Sequence, residues 1–352
     1  MMTDEQKLND LIGKAVGELS AGYGGVMISL GNKLGLYKAM AGSGPMSSQE
    51  VAKRTKCAER YVREWLNSQV AGGYLLYHPK SATYELTPEQ AYILADETSP
   101  VFIPSAWEVV ASMWADQEKS LDAIRSGKGV SWGDHDERLF CGVAAFYRNA
   151  YRGSLVQEWL PALDGVTDKL KRGAKVADIG CGHGHSTVLM AQAFPKSQFW
   201  GFDGHEGSIE AARKVAAAAG VADRVTFERA DAAAYPKRDY DLICFFDCLH
   251  DMGRPVDAAA HAKKVLAKDG TVMLVEPFAG DRVEDNINPV GRLYYSASTT
   301  MCVAHAISEN GTHTLGAQAG RGQLGHVFEK AGFGHFRQAM QTPFNLILEA
   351  RP

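Results

Sequence analysis

Between Lys175 and Val275, five short β-prone runs alternate with connecting stretches. The runs are Lys175–Ile179, Gln198–Phe202, Val225–Arg229, Asp241–Phe246 and Thr271–Val275, and helix-prone stretches cover Ser186 to Phe194 and Ser208 to Ala219. Strands joined by helical crossovers pair in parallel, with helices on both faces. The spacing therefore predicts an α/β fold built on a doubly wound sheet. Such sheets bind ligands at the carboxyl ends of their strands. The candidate cofactor and catalytic residues stand at those ends.

The N-terminal part reads differently. Leu8, Leu11, Ile12, Ala15, Val16 and Leu19 recur at helical spacing and need an apolar partner. Met27, Leu30 and Leu34 resume the period after a glycine-rich break expected at Gly22 to Gly25. Ser47 to Glu50 forms a capping-box pattern that predicts a helix from Ser48 to Thr55. A second helix carries Val62, Trp65, Leu66 and Val70 and stops at Gly72-Gly73. Tyr74 to Tyr77 and Thr83 to Leu86 flank a turn and read as a hairpin, and Thr87-Pro88-Glu89 opens another helix. Two helices followed by a hairpin is the order of a winged helix-turn-helix. Residues 1–97 hold ten Lys/Arg against eleven Asp/Glu, so the basic surface that DNA phosphates require is missing. A dimerisation and scaffold module is the expectation for 1–97, a helical linker and pocket wall for 98–165, and a ligand-binding domain for 166–352.

Charge and cysteine usage exclude other classes. A net charge of −4 gives no bulk attraction to nucleic acid or anionic membrane. No apolar run reaches the ~18 residues of a spanning helix, and Asp4 and Glu5 replace the basic start of a secretory leader. The six cysteines form no CxxC pair, which suits a reducing cytoplasm and implies no zinc site. Cys244 and Cys248 read as small buried residues, and His183 with His185 alone does not make a metal site.

The loop after the first strand reads Asp178-x-Gly180-x-Gly182-x-Gly184. Glycines there let the backbone approach a ligand next to a helix N-terminus. Asp203, 23 residues beyond Gly180, ends the adjacent strand, where a carboxylate can accept both hydroxyls of a ribose or cap the next helix. The third glycine of a dinucleotide fingerprint would fall at His185 and is absent. An acid at Asp178 suits an ammonium group and would repel a pyrophosphate.

These stretches, with Ala58 to Leu66, Leu249-His250-Asp251-Met252, Asn288 to Tyr295 and the ending Thr342 to Pro352, carry a resemblance over nearly the whole chain. The sequence resembles class I S-adenosylmethionine-dependent methyltransferases in the branch with an N-terminal winged helix used by small-molecule O-methyltransferases. It is most similar to a bacterial group, well represented in mycobacteria, often described as transcriptional regulators. The resemblance implies a Rossmann-like, seven-stranded methyltransferase sheet with a mostly helical winged-helix domain, ending in a reversed hairpin near His335 to Gln341 and Phe344 to Glu349. It implies S-adenosylmethionine as cofactor, with S-adenosylhomocysteine as product. Asp178, Gly180, Gly182, His183 and Gly184 would hold its methionine part, Asp203 the ribose, Asp231 and Ala232 the adenine, and Phe246 and Asp247 would flank it. His250 would be the general base, oriented by Glu276. The family usually has Trp after its His-Asp pair, where this chain has Met252.

Residues 281–320 form an insertion expected to fold as a helical lid bearing Tyr294, Tyr295, Met301, Cys302 and His305. Trp132, Tyr147 and Tyr151 are candidates for the acceptor wall. The resulting expectation is a cytoplasmic, homodimeric methyltransferase acting on a small, partly hydrophobic acceptor, with no membrane or DNA partner. A cofactor-binding regulator without catalysis and a nicotinamide-dependent oxidoreductase are the rivals.

Overall fold

A computed structural model describes residues 4–311 and 313–352. They form two compact units: Met1–Ala111 with Cys141–Asn149, and Ser112–Phe140 with Ala150–Pro352. The stretch 98–165 is thus shared between the two.

In the first unit, helices α1 (Glu5–Lys33), α2 (Leu36–Met40), α3 (Ser48–Thr55) and α4 (Glu59–Ala71) precede a short hairpin, β1 (Leu76–His78) and β2 (Thr83–Glu85), and α5 (Pro88–Leu94). Helix α6 (Ala106–Ala115) follows, its residues from Ser112 on belonging to the second unit. Both capping boxes form: Ser47 with Glu50, and Thr87 with Gln90. Met46 forms an isolated antiparallel bridge to Tyr84 on the other side of β2. Ile28, Tyr37, Met40, Val51, Val62, Trp65, Leu66 and Leu94 make the core.

The expected break at Gly22 to Gly25 is not there: α1 runs unbroken through it. Two glycines of this helix serve packing instead. A Cβ on Gly25 would lie 2.0 Å from the Trp107 ring, and one on Gly31 would lie 2.5 Å from Trp65. Only glycine lets these indoles reach the helix backbone, and that contact offsets the ~1 kcal/mol a helical glycine costs.

The second unit continues with α7 (Gln117–Ser126), α8 (Glu137–Ser154), whose middle belongs to the first unit, and α9 (Val166–Arg172). Then come β3 (Lys175–Ile179), α10 (His185–Ala193), β4 (Gln198–Asp203), α11 (Glu206–Ala218), β5 (Val225–Arg229), β6 (Tyr240–Phe246), α12 (Pro255–Val265) and β7 (Leu266–Pro277). Helices α13 (Pro289–Thr300), α14 (Cys302–Ser308) and α15 (Gly320–Lys330) lead to β8 (His335–Gln341) and β9 (Asn345–Arg351). The seven-stranded sheet has the order β5-β4-β3-β6-β7-β9-β8. Strands β3 to β7 pair in parallel, and β9 pairs antiparallel with both β7 and β8. Reversal of strand order between β4-β3 and β3-β6 puts a crevice at the carboxyl end of β3. Val176, Ala177, Ile243, Phe245, Val272, Leu274 and Leu348 are fully buried along the central strands. β7 is longer than the run Thr271–Val275 predicts: it begins at Leu266 and passes through the polar Lys268-Asp269-Gly270, with a register shift against Tyr240 and Leu242.

The glycine positions of α1 separate two effects. Gly25→Ala is expected to destabilise the protein by about 1–3 kcal/mol through overpacking on Trp107. Gly17→Ala, with nothing within 4 Å of its Cβ, is expected to stabilise it by roughly 0.8–1 kcal/mol. Urea unfolding of both variants checks the pair of signs.

Candidate active site

β3 delivers the chain to three glycines in the left-handed region: Gly180 (φ +68°), Gly182 (φ +52°) and Gly184 (φ +72°). The N–H groups of Gly180 and Cys181 both donate to the carbonyl of Phe202, at 2.8 and 3.1 Å. A Cβ on Gly180 would meet Cys248 Sγ at 2.8 Å and one on Gly184 the Phe227 ring at 2.5 Å, whereas Gly182 faces open space. The loop is pressed close to the sheet on two sides and free over its middle.

Asp178 lies one step earlier and is fully buried. Its Oδ2 accepts hydrogen bonds from Ser186 Oγ and Thr187 Oγ1, both at 2.6 Å. Its Oδ1 is buried with no partner among the described residues. Burial pushes the carboxyl up to about 6, against the downward pull of the two hydroxyls. At the end of β4, Asp203 accepts the Gly182 N–H at 2.9 Å and the His205 N–H at 2.8 Å. It clamps the glycine loop and the turn into α11, but it does not cap that helix, whose N-cap is His205, and burial raises its pKa. His183 is held below its usual value by burial. Asp231, after β5, accepts from the Ala233 N–H at 2.7 Å and from exposed Arg254 at 3.0 Å. Ala232 is half-buried beside it.

β6 ends at buried Phe246. Asp247 follows with φ +50°, in a region that costs a non-glycine residue energy and clusters at functional sites. Its N–H donates to Val275 at 2.7 Å, and its Oδ1 accepts from Asn345 Nδ2 at 2.7 Å. Burial, then the Glu276 charge, pushes the Asp247 carboxyl well above the usual range. Tyr151 reaches Asp247 at 3.5 Å and packs its ring 5.5 Å from Phe246.

The 3-10 turn Leu249–Asp251 carries the histidine. Glu276, 2 % exposed near the end of β7, accepts the Leu249 N–H at 3.1 Å and binds His250 Nδ1 with its other oxygen. On the opposite edge of the ring, Nε2 lies 3.0 Å from Asp251 Oδ1. Burial opposes a charge on the imidazole, but the Asp251 and Glu276 carboxylates outweigh it and hold its pKa well above the ordinary value. Cys248 donates to the Ile179 carbonyl at 3.0 Å and so fastens this turn to the root of the glycine loop.

The insertion folds as helices, as expected. Tyr294, Met301 and Cys302 are buried, and Tyr294 donates to the Phe344 carbonyl at 2.8 Å. Tyr295 is 39 % exposed. His305 Nδ1 accepts the Trp132 N–H at 3.2 Å, and the two rings lie 6.0 Å apart. Phe140 stacks on His205 at 5.0 Å, just beyond Asp203. Tyr147 lies in the first unit, its ring edge-on to Phe146. Sequence reasoning did not single out Ser186 and Thr187, Asn345, or the buried Asp116–His135 pair at 3.0 Å. The hydroxyls one turn past the glycine loop were the available signal for the first two. Asn345 and Asp116 reach their partners only through tertiary packing.

Residues 170–332 match the methyltransferase domain family, and residues 22–96 match the Rv2258c-like winged HTH domain. The chain thus joins an N-terminal winged helix-turn-helix domain to a methyltransferase domain. A 27-O-demethylrifamycin SV methyltransferase from Amycolatopsis mediterranei is 35% identical over 107 residues, 30% of this chain and 39% of that protein. A trans-aconitate 2-methyltransferase from Streptomyces avermitilis is 30% identical over 105 residues, with 30% and 39% covered. The matched stretch spans less than half the length of these curated relatives. Human N-acetylserotonin methyltransferase, solved with SAM, aligns at TM-score 0.71 and 16% identity over 100% of this chain and 99% of that one. A mitomycin 7-O-methyltransferase aligns at 0.70 and 17% over 99% and 100%. Identity this low shows a shared fold.

Asp178 makes a pH dependence. Its native pKa of about 6 exceeds the ~3.9 of an unfolded aspartate. Between those values the native state keeps a proton that the unfolded chain has lost, so this group's contribution to stability falls as pH rises through that window. Thermal unfolding from pH 4 to 7 is expected to show a downward slope that is reduced in Asp178→Asn.

Proposed function

We propose that this protein transfers the methyl group of S-adenosylmethionine to a hydroxyl on a small, partly apolar acceptor. The observation that carries the reading is the buried His250–Glu276 pair, fastened by Cys248 to the root of the glycine loop.

The residues fit this cofactor. Asp178 has one buried oxygen without a partner, and Gly182 turns open space to a ligand. An ammonium group satisfies the first, and a pyrophosphate would be repelled there. Each Asp203 oxygen already accepts one N–H and keeps a second lone pair for a ribose hydroxyl. Asp231 and Ala232 would border the adenine, and Phe246 and Asp247 the other side. When bound, S-adenosylmethionine supplies an electrophilic methyl group on a sulfonium.

Glu276 holds His250 Nδ1, and because the two carboxylates favour the imidazolium, Nε2 must first release its own proton before it can take the acceptor's hydroxyl proton, so turnover is expected to rise with pH. The carboxylates of Glu276 and Asp251 stabilise the imidazolium so formed. Trp132, Tyr151, Tyr294, Tyr295, Met301 and His305 would wall the acceptor. Assayed with labelled S-adenosylmethionine against a metabolite extract, the wild type is expected to label a hydroxyl compound. His250→Gln should lower turnover on it by roughly 10²–10⁴-fold, the range of a general base, with cofactor affinity nearly unchanged. Retained turnover would leave His250 as a pocket residue.

The winged-helix domain fits a scaffold and dimerisation role. Arg60 and Arg63 on α4 pair with Glu64 and Glu59 of the same helix, which neutralises the surface DNA would need. On α1, Ile12, Val16, Leu19, Tyr23, Val26 and Leu30 follow alternating four- and three-residue steps and are 43 to 77 % exposed. That is a coiled-coil seam about 27 Å long at 1.5 Å per residue, and a second copy of this chain supplies an identical seam. Light scattering is expected to give a dimer for the wild type and a monomer for Leu19→Glu/Val26→Glu. A wild-type monomer at micromolar concentration contradicts it. Among the described residues no helix is long and apolar enough to cross a membrane, and the six free cysteines suit the cytoplasm.

A further inference from the structure

The edge of His250 that faces away from Glu276 meets two further donors. A ring nitrogen of His250, an Asp251 carboxylate oxygen and Cys302 Sγ all lie within 4.8 Å of one another, and Nε2 is the nitrogen beside Asp251. His250 and Cys302 are buried, and the Asp251 Oδ1 that lies 3.0 Å from Nε2 is itself buried. Cys302 is the first residue of α14, 51 positions beyond Asp251, so no local spacing in the sequence brings these groups together.

We propose that His250, Asp251 and Cys302 form a site for a thiophilic divalent cation of the Zn2+ type, and that its occupancy removes the proton acceptor of the reaction.

Three arguments carry this. A nitrogen, an oxygen and a sulfur donor within reach of one point is a donor set that suits Zn2+ or Co2+ and not Mg2+ or Ca2+. Bond lengths of about 2.0–2.3 Å place tetrahedral ligands roughly 3.3–3.8 Å apart, so small side-chain rotations bring donors within 4.8 Å onto one ion. The outer contact is also in place: metal-binding histidines give their second ring nitrogen to a carboxylate, as His250 Nδ1 does to Glu276. Finally, Glu276 and Asp251 crowd negative charge around one buried imidazole, and a dication compensates it. Binding releases the Cys302 thiol proton and any proton on Nε2 to solvent, leaving thiolate, neutral imidazole and carboxylate as ligands. The blocking of catalysis rests on the general-base reading above, while the binding itself does not.

Co2+ titration of the full-length protein tests the site, because a thiolate ligand adds a sulfur-to-cobalt charge-transfer band to the d–d spectrum of a tetrahedral ion. The expected result is one Co2+ per chain with that band, displaced by Zn2+. Cys302→Ser should abolish the band, and Asp251→Asn should weaken Co2+ binding at least tenfold. Cys141→Ser, which removes an exposed cysteine, should change neither. X-ray absorption at the zinc edge of the wild-type protein requires no variant to fold, and should show one sulfur and two or three nitrogen or oxygen neighbours. A spectrum without the charge-transfer band, a band that survives Cys302→Ser, or a zinc edge without sulfur overturns the proposal. S-adenosylhomocysteine titrated into the same samples separates the two readings. Cofactor binding without cobalt binding sinks the metal site alone, and cobalt binding without cofactor binding sinks the methyltransferase reading alone.

Discussion

One carboxylate, Glu276, has both oxygens committed: one to the backbone of the turn after β6, the other to the imidazole of His250. At 2 % exposure it has no water to fall back on. An ionised carboxylate buried this deeply persists only if it is paired and hydrogen-bonded. Its position therefore ties the turn to the neighbouring strand and holds one edge of the imidazole. Around it the other constraints follow. Cys248 anchors the turn to Ile179, Asn345 on β9 holds Asp247, and the reversed strand closes the sheet beside the site.

The glycine loop depends on a second carboxylate in a similar way. Asp203 holds Gly182 and His205 by their N–H groups, so the end of β4 and the loop after β3 move together. Asp178 stores a different tension. Two hydroxyls satisfy one oxygen and nothing described satisfies the other. Buried polar atoms are normally paired, and this unpaired oxygen lies at the base of the glycine loop.

Much of this was legible in the sequence because it is local. The alternation from Lys175 onward gave five parallel strands, Ser47 and Glu50 gave a capped helix, and Asp178, the glycine loop and Asp203 lie together at the ends of the adjacent strands β3 and β4. What escaped depends on distant packing. Gly22 to Gly25 reads as a break because glycine weakens helices, but Trp107 needs the space at Gly25. Thr271 to Val275 reads as the whole strand, yet β7 begins at Leu266 and runs through the polar Lys268 to Gly270. Cys302 carries no metal spacing, and it meets His250 and Asp251 only because the insertion folds back as α14. The site residues stand at the strand ends where topology places ligands, but which of their oxygens are free is a property of tertiary structure.

The central claim is that the Asp178 loop and Asp203 accept a ligand with an ammonium group and a ribose, and exclude a dinucleotide pyrophosphate. Isothermal titration calorimetry of the purified protein with S-adenosylhomocysteine and, separately, with NAD tests it most directly. Saturable binding of S-adenosylhomocysteine at one molecule per chain, with no heat from NAD, is the predicted result. Saturable binding of NAD with no response to S-adenosylhomocysteine would contradict the account.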